Sequence, residues 1–497
     1  MNNGSNSSYC VRGATASIFA IAVALTHGLA VAQYMRSGSP VAAVRGPLRA
    51  FQPSDGFIDP APTRYAFCRA SLRTKSYALP SKQVFEGDTG WFFHADELDS
   101  NPSITPDLLD DFTRLTRTLA QRGTKLVVVV PPPRGLLAYS HLPPQARGTM
   151  ATPYDARLRA YQSFVDHIRR AGPMVPDILA EANRNGVSLD RLTSPSDMHW
   201  STTGAWITSL AVTRQIAPQK LKGGVPPLMG TASLVGAESY RTTLDTLCRT
   251  PGRGQTVRAF TLPAPPAPPA TQNRADIILV GTSFSALTHR YGFAPFVQAY
   301  SGMATQNLAV AGGGPLTAFR QYAASERFKT DKPKFLIWEF SPSMMSDAGF
   351  ASQLGGVLRT ACPANTPATS AALGAGLSAL ATGEDIANAG PEGAPIQMTV
   401  KSDNAAFKRF TVFLNYVDGR QDTVDMDSRA APDMAANYTF ILPDDRAFLS
   451  DIAVRSNDPL SGTLRTQLCP AVDPVDPNPA TPTLFSRLAA WFKSFWS

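Results

Sequence analysis

The run KLVVVV at 125–130 constrains the fold more than any other feature, because after its first lysine it offers no polar residue to either side. A strand that is apolar on both faces must be covered on both faces, as in a parallel sheet layered between helices. Three more runs of this kind follow: ADIILV at 275–280, QNLAVA at 306–311 and KFLIWEF at 334–340. Stretches with helical spacing alternate with them. Thr105-Pro106 supplies a cap and a first helical residue, and Leu108, Phe112, Leu115 and Leu119 then recur on one face. Thr152-Pro153 opens a second helix that buries Leu158, Tyr161, Phe164, Val165 and Ile168, and a third carries Trp206, Ile207, Leu210 and Ala211. This alternation predicts an α/β layered domain with a mainly parallel sheet. EGDTGWFF at 86–93 reads as a turn that delivers three aromatics into the core, and Trp338, in a strand apolar on both sides, reads as core too.

Beyond Cys362 the rhythm changes. ATSAALGAGLSALATG is ambiguous, but IQMTV (396–400), RFTVFLNY (409–416), DTVDM (422–426), YTFIL (438–442), SDIAVR (450–455) and GTLRTQLC (462–469) are short strands with polar turns between them. They predict an all-β sandwich of about a hundred residues. A chain of 497 residues is too long for one ordinary core. The expected division is a signal peptide at 1–32, an α/β domain at 33–361, a β-sandwich at 362–470, and a Pro-rich linker with an amphipathic tail at 471–497.

The signal peptide is read from Arg12, an uncharged run at 13–32 and the ending Ala30-Val31-Ala32, with cleavage before Gln33; an uncleaved anchor is the alternative. In the tail, Leu484, Leu488, Trp491, Phe492 and Phe495 share a helical face that would rest on a membrane surface or dock on the protein itself. Export agrees with the cysteines. Cys10 lies in the signal region, leaving Cys68, Cys248, Cys362 and Cys469, an even number suited to an oxidising space. Cys362 and Cys469 bracket the segment of distinct composition and are paired on that ground, which leaves Cys68 with Cys248. No C-x-x-C occurs, so no zinc or thioredoxin-like site is indicated, and no metal or cofactor is expected. The formal charge of +8 favours an acidic partner. With no basic run interleaved with aromatics, nucleic acid is disfavoured relative to an anionic polysaccharide or lipid.

Two short stretches carry the chemistry. In SPSDMHWSTTGAW (194–206), Asp197 and His199 stand two apart; residues so spaced in an extended segment project to one side, letting the carboxylate reach Nδ1 while Nε2 stays free. In LVGTSFS (279–285), Ser283 opens a helix directly after a buried strand and a glycine, Gly281. A hydroxyl on a tight turn, a base and an orienting acid are what serine acyl transfer requires. Each piece alone also fits a capping serine or a helix-starting turn. Of the other histidines, His167 lies in a helix pattern, and His94 and His141 have no acid beside them at this spacing.

Taken together, SDMHWSTTGAW, GTSFS, EGDTGWFF and VVVVPPPRGLL resemble the SGNH-hydrolase-like alginate O-acetyltransferases of the AlgJ/AlgX type, over most of residues 60–345. Ordinary SGNH esterases place the serine first; here the Asp-His pair precedes it, as in this permuted family. The four exported cysteines and the terminal sandwich further resemble two-domain members whose sandwich is a carbohydrate-binding module. The resemblance implies Ser283 as nucleophile, His199 as base and Asp197 as orienting acid. The implied reaction passes an acetyl group through a serine acyl-enzyme onto hydroxyls of an exported acidic polysaccharide, alginate or similar. The acetyl group would come from a membrane or periplasmic acetylation partner, and proteins of the polysaccharide secretion complex would be neighbours in the periplasm. The oxyanion would rest on the N–H of Ser283 with Gly312 as a second donor. Arg134, at a strand end, is the candidate grip on a uronate carboxylate. Tyr291 is a further substrate contact, with His289 and Arg290 beside it. Lys408, Arg409, Tyr416 and Arg420 are candidates for polymer contact on the sandwich. A polysaccharide acetylesterase and a non-catalytic polysaccharide-binding scaffold are the competing readings.

Overall fold

The computed structural model describes residues 48–57, 73–74, 82–87, 90–94, 97 and 102–471, with breaks at 143–152, 238–254, 264–274, 346–347, 360, 375, 392 and 428–436. The predicted signal peptide, Cys68, Cys248, most of the proline spacer and the aromatic tail lie outside the described residues.

Four strands build the central sheet: β1 (Lys125–Val129), β2 (Ile277–Val280), β3 (Thr305–Asn307) and β4 (Phe335–Glu339). All pair in parallel in the order β1-β4-β2-β3, so the last strand in the chain sits inside the sheet. Alternate side chains of each strand serve opposite faces. Leu126, Val128, Ile278, Leu336 and Trp338 meet α1 (Pro106–Gln121) and α2 (Tyr154–Arg170) through Phe112, Leu115, Phe164 and Ile168. Val127, Val129, Ile277, Leu279 and Ile337 face the other way, onto Ile207 and Leu210 of α3 (Thr202–Ile216) and onto Phe293 and Phe296. Each such side chain contributes about 1.5–3 kcal/mol when fully buried, which is why the doubly apolar strands specify this layered arrangement. Thr105 caps α1 by accepting from the Leu108 N–H at 3.4 Å, and Pro106 takes the first helical position. Trp91, Phe92 and Phe93 are buried, and so is Trp338, whose indole N–H donates to the Pro315 carbonyl.

The run QNLAVA forms less strand than its composition suggests. Regular pairing stops at Asn307, whose side-chain amide donates to the Ser285 carbonyl at 2.8 Å and whose Oδ1 accepts from the Ala309 N–H at 3.0 Å. An antiparallel pair, Met229–Ala237 with Gln255–Thr261, extended by Arg49–Ala50, has no counterpart among the expected elements. Met229–Ala237 has Thr231 and Ser233 as its only polar residues and leaves Met229 and Leu234 exposed, so no alternation of buried apolar and exposed polar residues marks it. Among the described residues no helix is long and apolar enough to cross a membrane.

The C-terminal region forms two four-stranded antiparallel sheets. One runs Ala368–Leu373, Gly462–Pro470, Ile396–Ser402, Asn437–Ile441; the other runs Ser378–Thr382, Leu449–Ser456, Arg409–Tyr416, Gln421–Asp427. The ambiguous small-residue stretch thus supplies an edge strand to each sheet. Met398, Val400, Phe410, Val412, Ile452 and Val454 fill the space between them. Cys362 and Cys469 are joined in a disulfide with Cα atoms 5.9 Å apart.

The connection between the two regions is packed. A helix at Ala348–Gly356 lies against the strands Gln421–Asp427 and Asn437–Ile441. Gly356 is needed there, because a Cβ would stand 2.1 Å from the Thr439 carbonyl oxygen. From the other side Arg114 of α1 donates to the carbonyls of Leu354, Gly355 and Val357 at 2.8–3.2 Å, tying off the end of the connecting helix.

Candidate active site

The carboxyl ends of β1, β2 and β4 come together at one edge of the parallel sheet, where ligands bind in open α/β folds. After β2 the chain turns through Gly281 and Thr282 into a short helix, Ser283–Ala286, with Ser283 half buried at its start. Gly281 does not adopt a left-handed conformation. Its lack of a side chain makes room: a Cβ would lie 2.7 Å from Oε2 of Glu339 and 3.0 Å from the Glu339 carbonyl oxygen. The sharp turn expected from the glycine is therefore a matter of crowding by the neighbouring strand.

Asp197 and His199 arrive on a loop that is a succession of bends, not the extended segment expected. The loop is closed on itself: Thr193 and Trp200 form an antiparallel bridge, and the Ser194 N–H donates to the His199 carbonyl at 3.0 Å. Ser201 then caps α3 by accepting from the Gly204 N–H at 2.9 Å. The two side chains still meet. His199 Nδ1 lies 3.0 Å from both carboxylate oxygens of Asp197, and His199 Nε2 lies 2.7 Å from Ser283 Oγ. The imidazole packs between Phe284, at 4.9 Å between ring centroids, and Tyr291, at 5.5 Å. Asp197 and His199 are 6% and 7% exposed, so both sit behind the more open serine. Burial by itself would raise the Asp197 carboxyl. The charge and hydrogen bonding of His199, the Tyr291 hydroxyl and the nearby Arg134 outweigh it and hold the group below its ordinary value. A hydroxyl in contact with one imidazole nitrogen, and a carboxylate fixing the other, is an arrangement that can move a proton off the hydroxyl as it attacks a carbonyl.

Several predicted residues take other places. Arg134 is 5% exposed and spends its N–H donors within the protein. They reach Thr193 Oγ1 at 3.1 Å, the carbonyls of Phe92, Ser194 and Pro195 at 2.8–3.1 Å, and Glu97 at 2.6 Å. Instead of gripping a substrate carboxylate, it clamps the loop that carries Asp197 and His199. Tyr291, expected against substrate, is 1% exposed and donates its hydroxyl to Asp197 Oδ2 at 2.8 Å. On the sandwich, Arg409 pairs with Asp458 at 2.8 Å, Arg420 pairs with Asp445, and the buried Tyr416 donates to Asp422 and Asp445. His141 acquires an acid from 49 positions away, Asp190 at 3.2 Å, and stacks on Trp91.

Gly312 lies in a left-handed turn (φ 74°) just after Val310, whose N–H donates to the Gly281 carbonyl at 3.0 Å. That bond places the Gly312 loop beside the turn that presents Ser283. A Cβ on Gly312 would meet nothing within 4 Å, so its backbone angle and not crowding favours glycine. His289 is exposed. Arg290 has no ion pair among the described residues, and its buried Nε has no acceptor. Glu339, one acid in an apolar strand and no part of the expected site, is fully buried against the Ser283 turn. An acidic residue closing a run such as FLIWE is the signal that could have found it. A separate groove of about 410 Å³ between Leu228, Leu262, Pro263, Pro295 and Met303 is lined by no ionisable side chain.

Comparison with known proteins accords with this geometry. Residues 84–342 match the family described as SGNH hydrolase-like domain, acetyltransferase AlgX. The chain is 27% identical to the alginate biosynthesis protein AlgX of Pseudomonas syringae pv. tomato over 426 residues, 80% of this chain and 86% of that protein. It is 29% identical to the probable alginate O-acetylase AlgJ of Pseudomonas aeruginosa over 297 residues, 54% of this chain and 72% of that one. The solved structure of Pseudomonas aeruginosa AlgX aligns with a TM-score of 0.59 at 21% identity, over 81% of this chain and 98% of its own, a likeness of fold.

Proposed function

We propose, from the premise that this chain belongs to the family of the SGNH hydrolase-like domain of acetyltransferase AlgX, that it is a polysaccharide O-acetyltransferase working through a serine acyl-enzyme. The observation that carries this reading is the contact of His199 with Asp197 on one side, at 3.0 Å, and with Ser283 on the other, at 2.7 Å. The names of the relatives, an alginate biosynthesis protein and a probable alginate O-acetylase, point to alginate or a similar acidic polymer as acceptor.

In the first half-reaction Ser283 Oγ attacks the acetyl carbonyl of the donor while His199 Nε2 takes the hydroxyl proton. The tetrahedral oxyanion forms against the N–H of Ser283 and, on this reading, that of Gly312. As the intermediate collapses, His199 returns the proton to the leaving group and the acetyl ester remains on Ser283. In the second half a sugar hydroxyl gives its proton to His199 and attacks the ester; collapse frees the acetylated sugar and reprotonates Ser283. Asp197 keeps Nδ1 as the donor side of the ring and stabilises the imidazolium in each half. With Arg134 committed to the loop, Arg290, seven positions after Ser283 and without an ion pair among the described residues, is the remaining candidate for a uronate carboxylate. The remaining parts of the proposal are export to the periplasm through residues 1–32, division at 361/362 with a carbohydrate-binding sandwich, an acetylation partner as donor, and proximity to the secretion complex.

The test uses the purified full chain with a chromogenic acetyl ester, alone and with mannuronate or glucose oligomers, and mass spectrometry of the products. Acetylated mannuronate oligomers, lost in Ser283→Ala with folding retained, are the expected result. Release of acetate to water alone would make the protein an acetylesterase, absence of Ser283-dependent turnover would leave a scaffold, and acetylation unchanged in Ser283→Ala would refute the nucleophile.

A further inference from the structure

The residues on either side of Ser283 are held from a distant strand. Glu339, the last residue of β4, is 0% exposed, and its carboxylate points at the turn leaving β2. Oε2 accepts from the Thr282 N–H at 3.0 Å, and the Thr282 hydroxyl donates to Oε1 at 2.9 Å and Oε2 at 3.2 Å. That hydroxyl in turn accepts from the Phe284 N–H at 3.3 Å. One carboxylate therefore fixes the residue before Ser283 directly, and the residue after it through a single relay. Phe284 also carries the ring that packs on His199, so the same bonds set the spacing between Oγ and the imidazole. The missing Cβ of Gly281 belongs to this arrangement, since the carboxylate occupies the space a side chain would need.

We propose that Glu339 is a positioning residue for acyl transfer, holding the Gly281-Thr282-Ser283 turn so that Ser283 Oγ and its N–H face the acetyl carbonyl together. This deepens the transferase reading and rests on Ser283 being the nucleophile. Burial is the largest influence on the Glu339 carboxyl and raises it above its ordinary value, with the Thr282 bonds and the neighbouring His199 pulling the other way. With its folded value raised, the stability this carboxyl contributes is lost as pH rises from the ordinary carboxylate value through the folded one.

The experiment compares Glu339→Gln, Glu339→Ala and the parent as full-length proteins in three measurements. These are the kinetics on the chromogenic acetyl ester, the rate at which an aryl sulfonyl fluoride labels Ser283, and the midpoint of thermal unfolding. Expected for Glu339→Gln is a kcat lower by about tenfold with KM within about twofold, a labelling rate lower in parallel, and an unfolding midpoint equal to or above the parent's. Glu339→Ala should lose about a hundredfold or more in kcat if it folds; if it does not, Glu339→Gln decides. A folded Glu339→Gln whose Ser283 is labelled at the parental rate overturns the inference, as does a loss that appears in KM alone. Labelling needs no acetyl transfer, so it distinguishes this failure from that of the transferase reading, which is judged by Ser283→Ala and the products.

Discussion

Asp197 accepts hydrogen bonds from His199 and Tyr291 while almost wholly buried, and the sign of its titration follows. Its carboxyl in the fold lies below the ordinary value of 3.8. Its partners therefore stabilise the folded state fully above that value, and the contribution is lost as pH falls through the lowered one. Tyr291→Phe removes one donor and moves the folded value upward. At neutral pH it should cost about 1–2 kcal/mol of stability, and acid unfolding followed by circular dichroism should begin at a higher pH than in the parent. The rate on an acetyl ester should fall several-fold, through the orientation of His199. At this scale the sequence is legible where chemistry is local. An acid and a histidine two apart announce themselves, although bends and not extension bring them together. Partners 57 and 94 positions distant, Glu339 to Thr282 and Tyr291 to Asp197, leave no mark in the spacing. Arg134 misleads because a strand-end arginine reads alike whether its donors face a cleft or a neighbouring loop.

The loop at 193–200, closed on itself by the Thr193–Trp200 bridge, is clamped to the rest of the domain by the Arg134 guanidinium, and Arg134→Ala tests this clamp. Removing it takes the guanidinium away from the largely buried Glu97 carboxylate and a donor away from three carbonyls, and should cost about 3–5 kcal/mol. The lower unfolding midpoint should come with a fall in kcat and little change in KM for an acidic oligomer. A rise in KM with unchanged stability would return Arg134 to the role of substrate grip. Elements are legible in proportion to how completely they are buried. β1 and β4 are buried on both faces and stand out as unbroken apolar runs, whereas Met229–Ala237 is half exposed and carries no such signal. The length of β3 is overestimated from composition because Leu308 and Val310 look like strand while Asn307 diverts the backbone with its own side chain.

Across the whole molecule, the Cys362–Cys469 bridge closes a loop of 107 positions around nearly all of the sandwich. Chain-entropy arguments assign a loop of that size about 4–5 kcal/mol. The paired substitution Cys362→Ser with Cys469→Ser should lower the denaturant midpoint of the sandwich accordingly, as followed by calorimetry or chemical denaturation. A change of composition beyond Cys362 is visible in the sequence, but the packing of the connecting helix is not, since it depends on a glycine and three helix-end carbonyls. If the proposed transferase holds its polymer on the sandwich, those contacts would bear on which sugars it modifies. A polymer strand held by the sandwich would reach Ser283 at a set offset, as cloth meets a needle at a fixed distance from the presser foot. Acetyl groups would then fall at regular intervals along the chain instead of at random.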